Sequence, residues 1–238
     1  MEERYMRTAM LIGENGVDKL KNSSVLLFGV GGVGSFAAEA LARAGVGPIG
    51  ICDNDTVSVS NINRQLVALN STVGKLKIDV MRERIADINP DAKVSVYPCF
   101  YSAETAGDFC FEDYDYIIDA IDTVTSKLLI IKTAKEKNIP VISCMGTGNK
   151  LDPTALTVTD IKKTSGCPLA RVMRRELKNL GINSLKVVFS TEQPIKPLFQ
   201  PENEDKRSVP GSVSFTPSVA GIVLASEVVK DITGVRND

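Results

Sequence analysis

Residues Ser24-Val25-Leu26-Leu27-Phe28-Gly29-Val30-Gly31-Gly32-Val33-Gly34-Ser35, continued by Phe36-Ala37-Ala38-Glu39-Ala40-Leu41-Ala42, decide the fold. Ser24 to Phe28 is a short apolar run without alternation, the pattern of a strand covered on both faces. Gly29, Gly31 and Gly34 follow at G-x-G-x-x-G spacing, with Gly32 between them, and the Ala-rich run reads as a helix. In a strand–loop–helix unit such glycines permit a tight turn and bring backbone N–H groups close to phosphate. The helix then offers the positive end of its dipole to the anion. Taken alone, the spacing also fits plain punctuation between strand and helix. Its flanks favour a nucleotide.

Downstream, Ile49-Gly50-Ile51-Cys52-Asp53 reads as a second strand closed by Asp53, 24 residues after Gly29, where a carboxylate can accept hydrogen bonds from a ribose. An ordinary strand-end aspartate in a turn is the plainer alternative. The next cluster is Asp55-Thr56-Val57-Ser58-Val59-Ser60-Asn61-Ile62-Asn63-Arg64-Gln65, followed by Val73-Gly74-Lys75-Leu76-Lys77. A dehydrogenase has no need of it, whereas a triphosphate does. Arg64 grips two oxygens at once and Lys77 neutralises another, with Ser60-Asn61 capping a helix that carries Arg64. Lys75 and Lys77 also fit a solvated helix face.

Lys77 to Ile88 is amphipathic and ends at Asn89-Pro90; Val94–Tyr97 and Tyr114–Ala120 follow as strands. Asp119 and Asp122, at the carboxyl end of the latter, are placed where open parallel sheets bind ligands and are candidates to hold magnesium. Asp122 fits equally the N-cap of a helix over Ser126–Lys137. Pro140–Met145 is a fifth strand. Strand and helix alternate from residue 24 to about 145, so the fold class is α/β: a Rossmann-like doubly wound, mostly parallel sheet. Ahead of it, Tyr5 to Leu20 reads as a short packed helix and a turn broken by Gly13 and Gly16, with Arg4 and Arg7 on the surface.

The chain of 238 residues suffices for a full core, and 43% hydrophobic with 24% charged residues is ordinary for a globular protein. No apolar run approaches a membrane span and the start lacks a signal-peptide core. Five cysteines without a C-x-x-C pair argue against a zinc site and a disulfide framework, and so for a reduced, cytoplasmic protein. Histidine is absent. Imidazole relays are therefore excluded, and chemistry falls to carboxylates, Arg, Lys and backbone amides.

The last third changes character. Leu156–Asp160 and Lys186–Ser190 read as strands of an extension. Between them Leu169, Val172, Met173, Leu177 and Leu180 make one face of a helix whose other face carries Arg171, Arg174, Arg175 and Lys178. Residues 162–207 hold ten Lys or Arg against five Asp or Glu, while the whole chain has a net charge of −1. That asymmetry points to a polyanionic partner, against the plainer reading of a solvated helix face. Pro194–Ser212 reads as a mobile loop, and Thr216-Pro217 opens a closing helix that docks through Val219, Ile222, Val223, Val229 and Ile232. The organisation expected is one domain over 1–238: an N-terminal segment to residue 23, a nucleotide-binding core over 24–150, and an extension over 151–238.

Taken together, Gly29-x-Gly31-Gly32-x-Gly34, Asp53-x-Asp55, Ser60-Asn61-x-x-Arg64-Gln65, Gly74-x-x-Lys77, Ile88-Asn89-Pro90 and Asp119-x-x-Asp122 resemble the superfamily that adenylates the carboxylates of ubiquitin-like and sulfur-carrier proteins. The resemblance implies ATP with Mg2+ held by Asp122, phosphate contacts from Arg64 and Lys77, and a ribose contact from Asp53. It also implies a homodimer in which Arg7 reaches the neighbouring subunit's ATP. Met145-Gly146-x-Gly148-Asn149-Lys150-x-Asp152-Pro153-Thr154, Thr159-Asp160-Ile161-x-Lys163-Thr164, Pro168-Leu169-Ala170, Val188-Phe189-Ser190-Thr191-Glu192 and Phe215-x-Pro217-Ser218-Val219-Ala220-Gly221 are similar to the tRNA threonylcarbamoyladenosine dehydratases, with Cys167 where an acidic residue is expected. That group closes threonylcarbamoyladenosine beside the tRNA anticodon to a cyclic form, which would give the Arg171–Lys178 face its partner. Competing readings are adenylation of a sulfur-carrier C-terminus, a nicotinamide-dependent dehydrogenase and a nucleotide-sensing module. A monovalent cation and a sulfur-relay protein partner are further possibilities that no residue marks.

Overall fold

The computed structural model describes residues 2–200 and 209–235. Seven strands form one sheet: β1 (Val25–Phe28), β2 (Ile49–Cys52), β3 (Val94–Tyr97), β4 (Tyr116–Asp119), β5 (Val141–Cys144), β6 (Leu156–Asp160) and β7 (Lys186–Ser190), in the order β3-β2-β1-β4-β5-β7-β6. All pairs are parallel except the edge pair β6–β7. The two late strands thus complete the core sheet instead of forming a separate extension.

Alternate strand residues feed opposite cores, as the two-residue side-chain period requires. Val25 and Leu27 of β1 face α1 (Met6–Lys21), α2 (Gly34–Ala44), α3 (Lys77–Ile88) and α6 (Phe215–Thr233). Leu26 and Phe28 face α4 (Val124–Glu136) and α5 (Pro168–Asn179). Helices on both faces explain why β1, β2, β4 and β5 are buried along their whole length.

Three helical expectations need correction. α1 spans both expected breakers: Gly13 kinks it at φ 75°, and Gly16 is buried within it. It packs mainly through Val17 and Leu20 of its second half, with Ile12 at the margin, while Met6, Met10 and Leu11 stay exposed. α6 docks through Pro217, Ala220, Gly221, Leu224, Ala225 and Val228, with Val223, Val229 and Ile232 at the margin and Ile222 exposed. Small residues make this the closer face; a Cβ at Gly221 would overlap the Val33 carbonyl oxygen. Arg64 is carried by no α-helix. Val59–Asn61 is a single 3-10 turn, and the Arg64 and Gln65 N–H groups both donate to the Asn61 carbonyl in the turn that follows.

Of the expected mobile loop, residues 201–208 lie outside the described residues. Its flanks are tied down: Ile195 N–H donates to the Asn149 carbonyl, and Gly211 exchanges hydrogen bonds with Asn149.

Candidate active site

From β1 the sheet extends to β2 on one side and β4 on the other, and ligands of open α/β sheets bind outside such a switch point. Here the carboxyl ends of β1, β2, β4 and β5 open into a cavity of about 910 Å³. The glycine loop forms one wall. A Cβ at Gly34 would overlap the Gly29 carbonyl oxygen, so the third glycine lets the loop close onto α2. Gly31 differs: a Cβ there would meet only Gln65 Nε2, at 3.8 Å. Its missing side chain leaves room in the cavity, which is what close approach of a ligand to the backbone needs.

Asp53 braces this wall. Its Oδ2 accepts from Val30 N–H at 2.7 Å and its Oδ1 from Asp55 N–H at 2.8 Å. A carboxylate accepts about four hydrogen bonds, so capacity remains for a ligand hydroxyl. Lys77, the first residue of α3, is 5% exposed and pairs with the exposed Asp55 at 2.6 Å. That burial overturns the solvated-face alternative for Lys77. Arg64 is half-buried and donates from Nη1 to Ser60 O and Asn63 Oδ1, leaving most of its five N–H donors for other partners. Asn61 lines the cavity while its Oδ1 accepts from Ser58 N–H. Gln65 Oε1 is buried there with no hydrogen-bond partner among the described residues, and such an orphan fits a ligand donor.

The two aspartates of the β4 end separate. Asp122 is exposed and lines the cavity; Thr123, not Asp122, is the N-cap of α4, so the capping alternative fails. Asp119 is wholly buried and does not line the cavity. It pairs with the equally buried Lys127 at 2.9 Å and accepts from Ser143 Oγ. Its expected place in the nucleotide and metal site is therefore corrected: it is a structural anchor. Lys127 also donates to the carbonyls of Ile121 and Cys144, tying the loop that bears Asp122 to the end of β5. Among the described residues no group of three or more His, Cys, Asp or Glu could cage a metal. Asp122, one of three aspartates lining the cavity with Asp53 and Asp55, does suit magnesium, which binds one or two carboxylates together with substrate phosphates.

Arg7 lies exposed on α1 and does not line the cavity. On α5, Arg174 turns back to donate to Thr164 O and Thr164 Oγ1, and Arg175 pairs with Glu176. Only Arg171 and Lys178 of that set are exposed with no ion pair among the described residues. The far wall of the cavity went unassigned in the sequence. It comprises Met145 to Lys150, Cys167 to Leu169, Pro194 and Val209 to Ser212. Its signal was the second Gly-rich turn, Gly146-Thr147-Gly148, at a strand end. All five cysteines are free thiols, and burial pushes the Cys144 thiol up to about 12, which leaves it protonated.

With this geometry in view, the ThiF family model matches residues 5–238. The chain belongs to the ThiF family. This ThiF-family protein is 45% identical to the tRNA threonylcarbamoyladenosine dehydratase of Bacillus subtilis (strain 168), over 98% of this chain and 95% of that one. To the protein of the same name from Escherichia coli (strain K12) it is 36% identical, over 96% and 92%. Its structure superposes on a crystal structure of the E. coli tRNA N6-threonylcarbamoyladenosine dehydratase, TcdA, in complex with ATP, with a TM-score of 0.89 and 37% identity. That match covers 98% of this chain and 94% of TcdA. Among the described residues no helix is long and apolar enough to cross a membrane.

Proposed function

We infer that this protein catalyses ATP-dependent cyclisation of N6-threonylcarbamoyladenosine next to the anticodon of tRNA, through adenylation of the substrate carboxylate. The observation that carries this reading is 45% identity to the dehydratase of B. subtilis over nearly the full length of both chains, and the cavity chemistry is compatible with it. A substrate carboxylate oxygen attacks the α-phosphorus of ATP and pyrophosphate leaves. A neighbouring nitrogen or oxygen of the modified base then attacks the activated carbonyl, releasing AMP and a proton, so the nucleoside loses one water overall.

The glycine-loop amides and Asp53 fix the nucleotide. Arg64 and Lys77 spread the charge that develops on the phosphates, and such fixed donors are commonly the largest catalytic contribution. Asp122 is the ligand for a magnesium ion, which supplies neutralisation of phosphate charge when bound. Histidine is not needed, because the work is positioning and charge stabilisation. Arg7 acts in trans in a homodimer, and the exposed Arg171 and Lys178 meet the tRNA backbone, in the cytoplasm.

The test is incubation of the purified protein with ATP, magnesium and tRNA carrying threonylcarbamoyladenosine, followed by mass analysis of the nucleosides. Loss of one water, dependent on ATP and abolished in Asp122→Ala, is expected. An unchanged nucleoside overturns the reading, and pyrophosphate exchange with a sulfur-carrier tail becomes the next experiment.

A further inference from the structure

Three lysines are buried among the described residues, and two of them have a carboxylate in contact: Lys77 with Asp55, and Lys127 with Asp119. Lys150 has none among the described residues. It is 2% exposed, lines the cavity, and donates one hydrogen bond, from Nζ to Ser190 O at 3.1 Å. An ammonium has three donors. Glu192 forms no ion pair with it and acts only at longer range; its carboxylate accepts from the backbone N–H groups of Leu151 and Asp152. Burial pulls the Lys150 pKa below the ordinary lysine value, while Cys167, Glu192 and Cys144 act in the opposite sense. A cation taken out of water without a counter-ion is costly. Facing a ligand cavity, it is matched to an anion that arrives with the ligand.

A second feature lies on the same wall. α5 begins there with Pro168, which has no N–H, and its N-cap residue Cys167 makes no side-chain cap. The first-turn amides of Leu169 and Ala170 therefore add positive potential beside Lys150. The position is also chemically apt. Lys150 follows β5 and the glycine cradle follows β1, and the sheet order sets β4, with Asp122 at its end, between the two. An anion at Lys150 faces the cradle across the β4 mouth, the side from which an acceptor must approach a nucleotide lying on the glycine loop.

We propose that Lys150, supported by the α5 N-terminus, is the subsite that receives the free carboxylate of the acceptor, the group to be adenylated. This rests on the reading of the protein as a carboxylate-adenylating tRNA enzyme. Lys150 thus binds and aims the carboxylate and takes no part in holding ATP.

The experiment measures equilibrium binding, with a non-hydrolysable ATP analogue present, of tRNA carrying threonylcarbamoyladenosine against the same tRNA without the modification. Wild type is expected to prefer the modified tRNA. Lys150→Gln keeps a donor for Ser190 O and removes the charge; it should cut that preference about tenfold to a hundredfold, the range for a hydrogen bond to a charged group. Its affinities for the ATP analogue and the unmodified tRNA should stay unchanged. KM for the modified tRNA should rise more than kcat falls, and Lys150→Arg should restore part of the preference. Retention of the full preference by Lys150→Gln overturns the proposal. A second measurement needs no variant: wild type should bind modified tRNA whose threonyl carboxylate is methyl-esterified as weakly as unmodified tRNA, and equal binding of ester and acid overturns the proposal too. Absence of any cyclisation by wild type is the separate outcome that removes the underlying reading and this subsite with it.

Discussion

At the residue scale, the three buried lysines are held by different partners and should respond differently to substitution. Lys127 and Asp119 are both wholly buried, and truncating one member of such a pair strands the other's charge. Lys127→Met should therefore destabilise the fold by about 3–5 kcal/mol, read by urea unfolding. Lys127→Met combined with Asp119→Leu should recover most of that loss; a double variant as unstable as the single would show that the pair is not the cause. Lys77 has an exposed partner, so Lys77→Met should leave stability nearly unchanged. It should slow adenylate formation by about 10²–10³-fold, the typical effect of removing one fixed donor from a developing charge, measured by single-turnover kinetics. These contrasts mark the limit of the sequence at this scale. Asp119-x-x-Asp122 is legible as a pair at a strand end, but not which member is anchored. That depends on Lys127, which reads as one more helix lysine until α4 is packed on the sheet. Lys150 was hidden for the same reason: its lack of a counter-ion among the described residues is a three-dimensional fact.

At the scale of elements, the core was legible wherever one face decided the pattern. α3 spans Lys77–Ile88 as its apolar spacing requires, and buries Ile78, Met81 and Ile85. Reading failed where small residues set the packing face, as in α6, or where local side-chain bonds replaced a helix, as at Ser58–Asn61. The join of α2 to α3 carries a pH-dependent contribution. Glu39 accepts from Arg84 at 2.6 and 3.1 Å and from Arg43 at 2.8 Å. Burial alone would raise its pKa, but the guanidinium hydrogen bonds outweigh it and leave the carboxyl below the usual range. A lowered pKa stabilises the fold at neutral pH, and that contribution is lost as pH falls through it. Glu39→Gln should cost about 0.5–1 kcal/mol at pH 7, since Arg84 is partly solvated. The gap to wild type should close in acid, below about pH 4; a gap independent of pH would assign the cost to packing. The glycine loop gives a sharper test. Gly34→Ala must displace the Gly29 carbonyl, so ATP affinity measured by calorimetry should fall well over tenfold.

At the scale of the whole molecule, the proposed dimer has its physical basis in the N-terminal segment. The first half of α1 exposes Met6, Met10 and Leu11, the latter two at 80% and 82%, beside Arg7 and ahead of the Gly13 kink. A helix whose apolar residues find no core of their own is placed to find one elsewhere. Arg7 lies outside its own chain's cavity, so any role at the phosphates must be played in a second copy. In a two-fold dimer each site then combines Asp122 of one chain with Arg7 of the other. Arg7→Ala and Asp122→Ala should each be inactive alone. In a hybrid of the two, the Arg7→Ala chain keeps its own Asp122 and borrows the intact Arg7 of its partner, so one of the two sites is whole. After unfolding and refolding together, random pairing makes about half the dimers hybrids, and the mixture should recover about a quarter of wild-type activity. Recovery requires both a dimer and an arginine acting across it. If the mixture stays inactive while light scattering shows a dimer, Arg7 does not serve the neighbouring site; if scattering shows a monomer, the exposed apolar turn of α1 must serve another partner.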